Sequence, residues 1–280
     1  MKLNRDISIL LLNTLQKKEL QIALPLAGTG IRGIRFLLEL KKNKIKHLYL
    51  NDYSEKAIKL IQENLTLNKL KTKTKKITTL STNDANLFLL NSKGFDYIDI
   101  DPFGTPNPFL DSAITRLSRN SILAVTATDT SSLCGTYPNS CLRKYWAHHT
   151  TNPIMHELGL RILIRKVQLI ASQHEKALTP IFSYSKDHYM RIFFECEKSK
   201  QKTNKILKQH ETINNYGPLW IGQLWDAKLT AKMLKNTSKT DKELYQFLSI
   251  ITEESKINTI GFFNIHQIVN LRSEPNVFMM

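Results

Sequence analysis

Two periodicities alternate along the first two-thirds of the chain. Residues 20–26 form an almost unbroken apolar run that stops at Ala27-Gly28-Thr29-Gly30. A short apolar run bounded by a glycine turn predicts a strand buried on both faces. Residues 31–41 then read as a helix, and residues 47–50 as a second short strand ending at Asn51-Asp52. Ser54 can cap the next helix, in which Ala57, Ile58, Ile61 and Leu65 share one face. Residues 77–80 predict a third strand, followed by Asn83-Asp84-Ala85. Residues 95–101 predict a fourth, ending at Pro102, which cannot donate to a ladder. Residues 122–127 predict a fifth. A long helix over 155–176 and two further strands, 181–184 and 189–194, complete this part.

Strands alternating with helices predict an α/β fold, a Rossmann-like parallel sheet with helices on both faces. This domain is expected over residues 1–197. Residues 198–208 carry Lys198, Lys200, Lys202, Lys205 and Lys208 and read as a lysine-rich linker. Residues 209–280 are too short for another Rossmann unit and are read as a small α+β domain, with Trp220 and Trp225 anchoring its core.

In such a sheet, ligands bind beyond the carboxyl ends of the strands. Gly28 and Gly30 follow strand one, where glycine lets the backbone turn tightly against a ligand. Asp52 follows strand two, where a carboxylate can accept both hydroxyls of a ribose. Asp84 follows strand three, where a carboxylate can accept an N–H from an adenine amino group; a plain turn residue is the alternative. The turn departs from G-x-G-x-x-G because its third glycine, Gly33, comes one residue early. That disfavours a dinucleotide and favours an adenosine cofactor without a pyrophosphate, such as S-adenosylmethionine.

Charge adds a partner class. Across 280 residues, 40 Lys+Arg stand against 24 Asp+Glu, a formal net charge of +16, which suits a polyanion such as nucleic acid. A compositional bias toward lysine is the alternative. No apolar run approaches the length of a membrane span, so no membrane is expected. Three cysteines, Cys134, Cys141 and Cys196, without a C-x-x-C pair exclude a disulfide framework and a four-cysteine zinc site, so no metal is expected and a cytoplasmic location is.

Asp101-Pro102-Phe103-Gly104 carries the most chemistry. Strand periodicity puts Asp99 and Asp101 on one face. A carboxylate at a buried strand end needs a partner, and an exocyclic base amine is one. Such an amine is a poor nucleophile, because its lone pair is delocalised into the ring. An acceptor on its N–H enriches the nitrogen and fixes it before a sulfonium methyl. Pro102 stiffens the turn, and Phe103 offers a face on which a flipped base can stack. The pattern resembles the (D/N)-P-P-(Y/F) motif of amino-group methyltransferases.

Longer segments resemble the tRNA (guanine(26)-N2)-dimethyltransferase family. They are Leu3-Asn4-Arg5-Asp6-Ile7, Thr29-Gly30-Ile31-Arg32-Gly33-Ile34-Arg35-Phe36, Asp99-Ile100-Asp101-Pro102-Phe103-Gly104, Pro108-Phe109-Leu110-Asp111 and His156-Glu157-Leu158-Gly159. The resemblance implies a class I methyltransferase fold and S-adenosylmethionine as methyl donor, with S-adenosylhomocysteine as product. It also implies one or two transfers to guanine N2 of tRNA. It implies cofactor contacts from Arg5, Arg32, Asp52, Asp84 and Ala85, with Asp101 as the catalytic carboxylate. Arg5 and Arg32 would suit the cofactor's carboxylate.

Family members carry a segment before the Leu-Asn-Arg motif, a zinc region and a longer C-terminus. Here the motif begins almost at Met1 and the zinc region is the lysine stretch. A second polypeptide supplying those segments is therefore one alternative. A non-catalytic RNA-binding relative, or an amino methyltransferase on another nucleic acid, are the others.

Overall fold

A computed structural model of the chain describes residues 2–238 and 240–256. It begins with helix α1 (Lys2–Thr14), followed by β1 (Leu20–Leu24), α2 (Ile31–Glu39), β2 (Ile45–Asp52), α3 (Glu55–Leu67), β3 (Thr78–Thr82), α4 (Ala85–Leu90), β4 (Phe95–Ile100), α5 (Asn107–Arg116) and β5 (Leu117–Ala127). Then come α6 (Thr130–Leu133), α7 (Pro138–Tyr145), α8 (Met155–Gln173), β6 (Lys176–Lys186), β7 (Tyr189–Lys198), α9 (Lys200–Leu207), β8 (His210–Ile213), β9 (Tyr216–Trp220), α10 (Ala227–Lys235) and α11 (Lys242–Glu254).

Seven strands form one sheet in the order β3-β2-β1-β4-β5-β7-β6. The first five run parallel, while β7 runs antiparallel to both β5 and β6. The sheet is thus mixed, not wholly parallel. Leu20, Ile22, Ala23 and Leu24 of β1 are all buried, which accounts for the unbroken apolar run of that central strand. α1, α2 and α3 pack in series, with α10 and α11 joining against α1. A second series, α4, α5 and α8, carries the β8–β9 hairpin against α8. The turn after β1 depends on two glycines. Gly30 sits at φ +74° and would place a Cβ 2.9 Å from Ile61 Cγ1. At Gly33 a Cβ would lie 2.5 Å from Leu50 Cδ2, so α2 rests directly on the sheet there.

The lysine-rich stretch is not a linker. Residues 200–207 form α9, capped by Ser199, whose hydroxyl accepts the Lys202 N–H at 3.3 Å. Thr203 and Ile206 are buried at helical spacing, and the lysines occupy the other sides. High lysine content masked those two inward positions. Residues 209–256 also share the main core: Leu219, Trp220, Leu224 and Trp225 belong to the same apolar cluster as the central strands. Trp225 Nε1 donates to the Ser183 carbonyl of β6 at 2.8 Å, so it anchors the C-terminal part to the sheet. The rest of the expected small domain, residues 257–280, lies outside the described residues.

Glu254, at the end of α11, is buried, and neither carboxyl oxygen has a hydrogen-bond partner among the described residues. Burial pushes its carboxyl from the ordinary 4.5 up to about 8. A folded-state value above the unfolded one contributes stability that is complete below the unfolded value and is lost as pH rises through the folded value. Glu254→Gln removes that loss. Its melting temperature relative to wild type should therefore rise between pH 5 and pH 8.5 in paired calorimetric scans.

Candidate active site

Every strand-end residue singled out by sequence lies on one edge of the sheet, at the carboxyl ends of β1, β2, β3 and β4. Three strand ends are laced together by Asn51, whose side-chain amide donates to the Pro25 carbonyl at 3.0 Å and the Asn83 carbonyl at 2.9 Å. Asp52 accepts the Gly28 N–H at 2.8 Å through one oxygen and the Ser54 N–H at 3.0 Å through the other. Its carboxylate therefore shapes the glycine turn. Each oxygen keeps acceptor capacity for a ribose hydroxyl. Asp84 caps α4 through Oδ1, which accepts the Asn86 and Leu87 N–H groups at 2.9 and 3.1 Å. Ala85 begins that helix and is buried.

Behind this edge lies a charged cluster. Arg191 of β7 is completely buried and holds Asp99 of β4 through two hydrogen bonds, at 2.8 and 2.6 Å. Arg191 also donates to the Thr126 hydroxyl at 2.7 Å and to Ser8 at 3.2 Å. The Tyr97 hydroxyl donates to Asp99 at 2.6 Å. Arg32, from the first turn of α2, pairs with Asp101, lies 3.4 Å from Asp99, and donates to Asn4 Oδ1 at 3.1 Å and Ser8 Oγ at 3.0 Å. Burial works against ionisation of Asp99, but Arg191 and Arg32 outweigh it and hold its carboxyl below the usual carboxylate range. The same pairing holds Arg191 charged despite its burial.

Arg5 and Arg32, grouped by sequence, thus have different surroundings. Arg32 belongs to the Asp99–Asp101 cluster. Arg5 has no carboxylate within ion-pair distance among the described residues, and its buried Nε has no hydrogen-bond partner. Burial lowers its pKa, and the neighbouring guanidiniums of Arg32 and Arg35 lower it further. A desolvated cation among other cations favours an anionic ligand. Arg5, Leu24, Leu26, Ala27, Ile31, Arg32, Asp99 and Asp101 line one cleft. An unpaired guanidinium for a carboxylate, with Asp52 for a ribose, fits the donor and acceptor set of S-adenosylmethionine.

Asp101 lies at the rim of that cleft. Pro102 after it is buried, and Phe103 is fully exposed. Gly104, at φ +86°, donates to the Thr128 hydroxyl at 2.6 Å and accepts the Thr128 N–H at 2.9 Å. These bonds pin the Asp101–Gly104 turn to the end of β5. Sequence reasoning missed Arg191, Tyr97, Asn4 and Ser8. One signal was available: an arginine in the otherwise apolar run of residues 189–194 calls for a buried carboxylate. Among the described residues no group of three or more His, Cys, Asp or Glu side chains could hold a metal ion. No helix among them is long and apolar enough to cross a membrane.

The strand order and the residues at its carboxyl edge define the class: a Rossmann-like S-adenosylmethionine-dependent methyltransferase. A family model described as N2,N2-dimethylguanosine tRNA methyltransferase matches residues 1–215 and 209–276. The chain belongs to that family. The tRNA (guanine(26)-N(2)/guanine(27)-N(2))-dimethyltransferase of Aquifex aeolicus is 38% identical over 317 residues, covering 99% of this chain and 80% of its own length. The tRNA (guanine(26)-N(2))-dimethyltransferase of Thermococcus kodakarensis is 37% identical, covering 91% of this chain and 75% of its own. Among solved structures, Trm1 from Pyrococcus horikoshii in complex with S-adenosyl-L-methionine matches with a TM-score of 0.80 at 34% identity, over 90% of this chain and 76% of that one.

Proposed function

We propose that this chain transfers methyl groups from S-adenosylmethionine to the exocyclic N2 amine of a guanine in tRNA, at position 26, with Asp101 as the carboxylate that receives the amine. The observation that carries this reading is one cleft shared by a cation and the strand-end carboxylate. Arg5, which has no carboxylate partner among the described residues, and the Asp101 carboxylate line that cleft, and the fully exposed Phe103 follows Asp101 by two residues. The cofactor supplies an electrophilic methyl on a sulfonium.

The chain's own residues prepare the nucleophile. Asp101 accepts one N–H of the amine, which orients the nitrogen and enriches it. The proton released as the N–C bond forms passes to the same carboxylate. Arg32, anchored by Asn4, Ser8 and Asp99, fixes where Asp101 stands. Phe103 stacks on the flipped guanine, an arrangement that needs an exposed ring on a rigid turn. Arg5 would hold the cofactor's carboxylate, Asp52 its ribose hydroxyls and Asp84 its adenine, with Gly28, Gly30 and Ala85 beside them.

The position is tested with two transcripts of one tRNA, one carrying guanine at position 26 and one carrying adenine there. The reading predicts labelling of the first and none of the second. Equal labelling of both would place the target elsewhere. Labelling of the first only after a second polypeptide is added would favour a two-chain enzyme.

A further inference from the structure

Two cations stand side by side on α8 without a counter-charge among the described residues. Lys166 is only 5% exposed, and its ammonium lies 2.9 Å from the ring centroid of Trp146. Arg165 donates through Nη1 to the Trp146 carbonyl at 3.2 Å, while its buried Nε has no hydrogen-bond partner. Neither has a carboxylate within ion-pair distance among the described residues. Burial, then Arg165, lowers the Lys166 ammonium to about 8. Two desolvated like charges are costly in the free protein and become favourable beside an anion.

Trp146 itself is 48% exposed and closes α7 in the left-handed region, at φ +56°. The same helix end carries Arg143 and Lys144, and Leu142 is exposed beside it. This end of α7 is tied to the catalytic turn. Asn107 Nδ2 donates to the Lys144 carbonyl at 2.8 Å, and the Tyr145 hydroxyl lies 3.1 Å from Thr105 Oγ1 and 2.6 Å from Asp129 Oδ1. The patch is therefore fixed with respect to the segment that follows Asp101.

We propose that Trp146, Arg165 and Lys166 form a docking site for the tRNA strand that flanks the target guanine, with a phosphate on the two cations and a base against the indole. This rests on the proposed function. Exposed aromatic rings beside cations suit single-stranded nucleic acid, because every base offers a stacking face and every linkage a charge. The site's continuity with the Asp101 turn selects tRNA as its occupant.

The test measures dissociation constants for unmodified tRNA between 50 and 200 mM KCl, for wild type, Trp146→Ala, Lys166→Met, Arg165→Gln and Arg165→Lys. S-adenosylmethionine affinity and melting temperature are measured on the same preparations. Lys166→Met and Arg165→Gln are each expected to weaken tRNA binding about tenfold and to reduce the salt slope by about one. Trp146→Ala is expected to weaken it about tenfold with little change in slope. Arg165→Lys should keep the slope. Lys166→Met should melt no lower than wild type, since it removes an unfavourable charge, and cofactor affinity should hold throughout. Wild-type dissociation constants and slopes in Lys166→Met and Arg165→Gln would overturn the site. A lower melting temperature for Lys166→Met with unchanged tRNA binding would make the cluster purely structural. If wild type binds tRNA but methylates none, the proposed function fails while the binding comparison still decides the docking site.

Discussion

Asp101→Ala is expected to lower the turnover of methyl transfer by about 10²–10⁴-fold while leaving S-adenosylmethionine affinity near that of wild type. The size follows from the role. The guanine amine loses both its acceptor and the base that takes its proton. The proposed cofactor contacts of Arg5 and Asp52 are expected to stay, because neither bonds to Asp101 among the described residues. Arg32 loses a partner but keeps Asn4 Oδ1 at 3.1 Å, Ser8 Oγ at 3.0 Å and Asp99 at 3.4 Å, so the fold should persist. Asp101→Asn makes the sharper comparison. Its amide oxygen can still accept an N–H but cannot take up the proton, so it too should be slow. Single-turnover kinetics with calorimetric cofactor titration separates the two quantities. Near-wild-type turnover of Asp101→Asn would reduce Asp101 to an orienting group.

The second large effect concerns stability. Arg191→Leu should destabilise the protein by about 3–5 kcal/mol, because it removes the bidentate partner of the buried Asp99 carboxylate and leaves only the Tyr97 hydroxyl and Arg32 at 3.4 Å. At this chain length that corresponds to a drop of roughly 10 °C in melting temperature. Leucine fills much of the space but offers nothing to Asp99, Thr126 or Ser8. The pH dependence carries a distinct signature. A depressed folded-state value for Asp99 gives stability that is present above the unfolded value and lost as pH falls through the folded one. The gap between wild type and Arg191→Leu should therefore narrow below about pH 4, the ordinary carboxylate value. Adding Asp99→Asn to Arg191→Leu should recover part of the loss, since the buried carboxylate that lost its bidentate partner is then neutral. A constant gap from pH 7 to pH 3 would contradict the ion-pair account.

The strand-end residues of the candidate site are legible in the sequence for a definite reason. Each stands where an apolar run breaks into glycine or aspartate, and such breaks survive in one dimension. The Asp101-Pro102 step is the clearest. Period-two reasoning also placed Asp99 on the face of Asp101, and Tyr97 joins them there.

What was not legible depends on pairings between distant segments. Arg191 reaches Asp99 because β7 inserts antiparallel between β5 and β6, with Thr126 opposite Arg191. No local periodicity encodes that insertion. Arg32 and Arg5 both lie in family motifs and both line the same cleft. Only the packing of α1 on α2 shows that Asn4 and Ser8 turn Arg32 toward Asp101. Asp84 shows a different limit: the same residue type serves a helix cap and a ligand acceptor, and its Oδ1 is a cap here.

This chain moves a methyl group onto the N2 of a tRNA guanine. The purified chain, incubated with S-adenosylmethionine labelled in the methyl group and unmodified tRNA, followed by digestion to nucleosides and chromatography with mass detection, tests it most directly. The account predicts label in N2-methylguanosine or N2,N2-dimethylguanosine and in no other nucleoside. Label confined to methylated adenosine or cytidine, or no label in tRNA while the cofactor still binds, would contradict it.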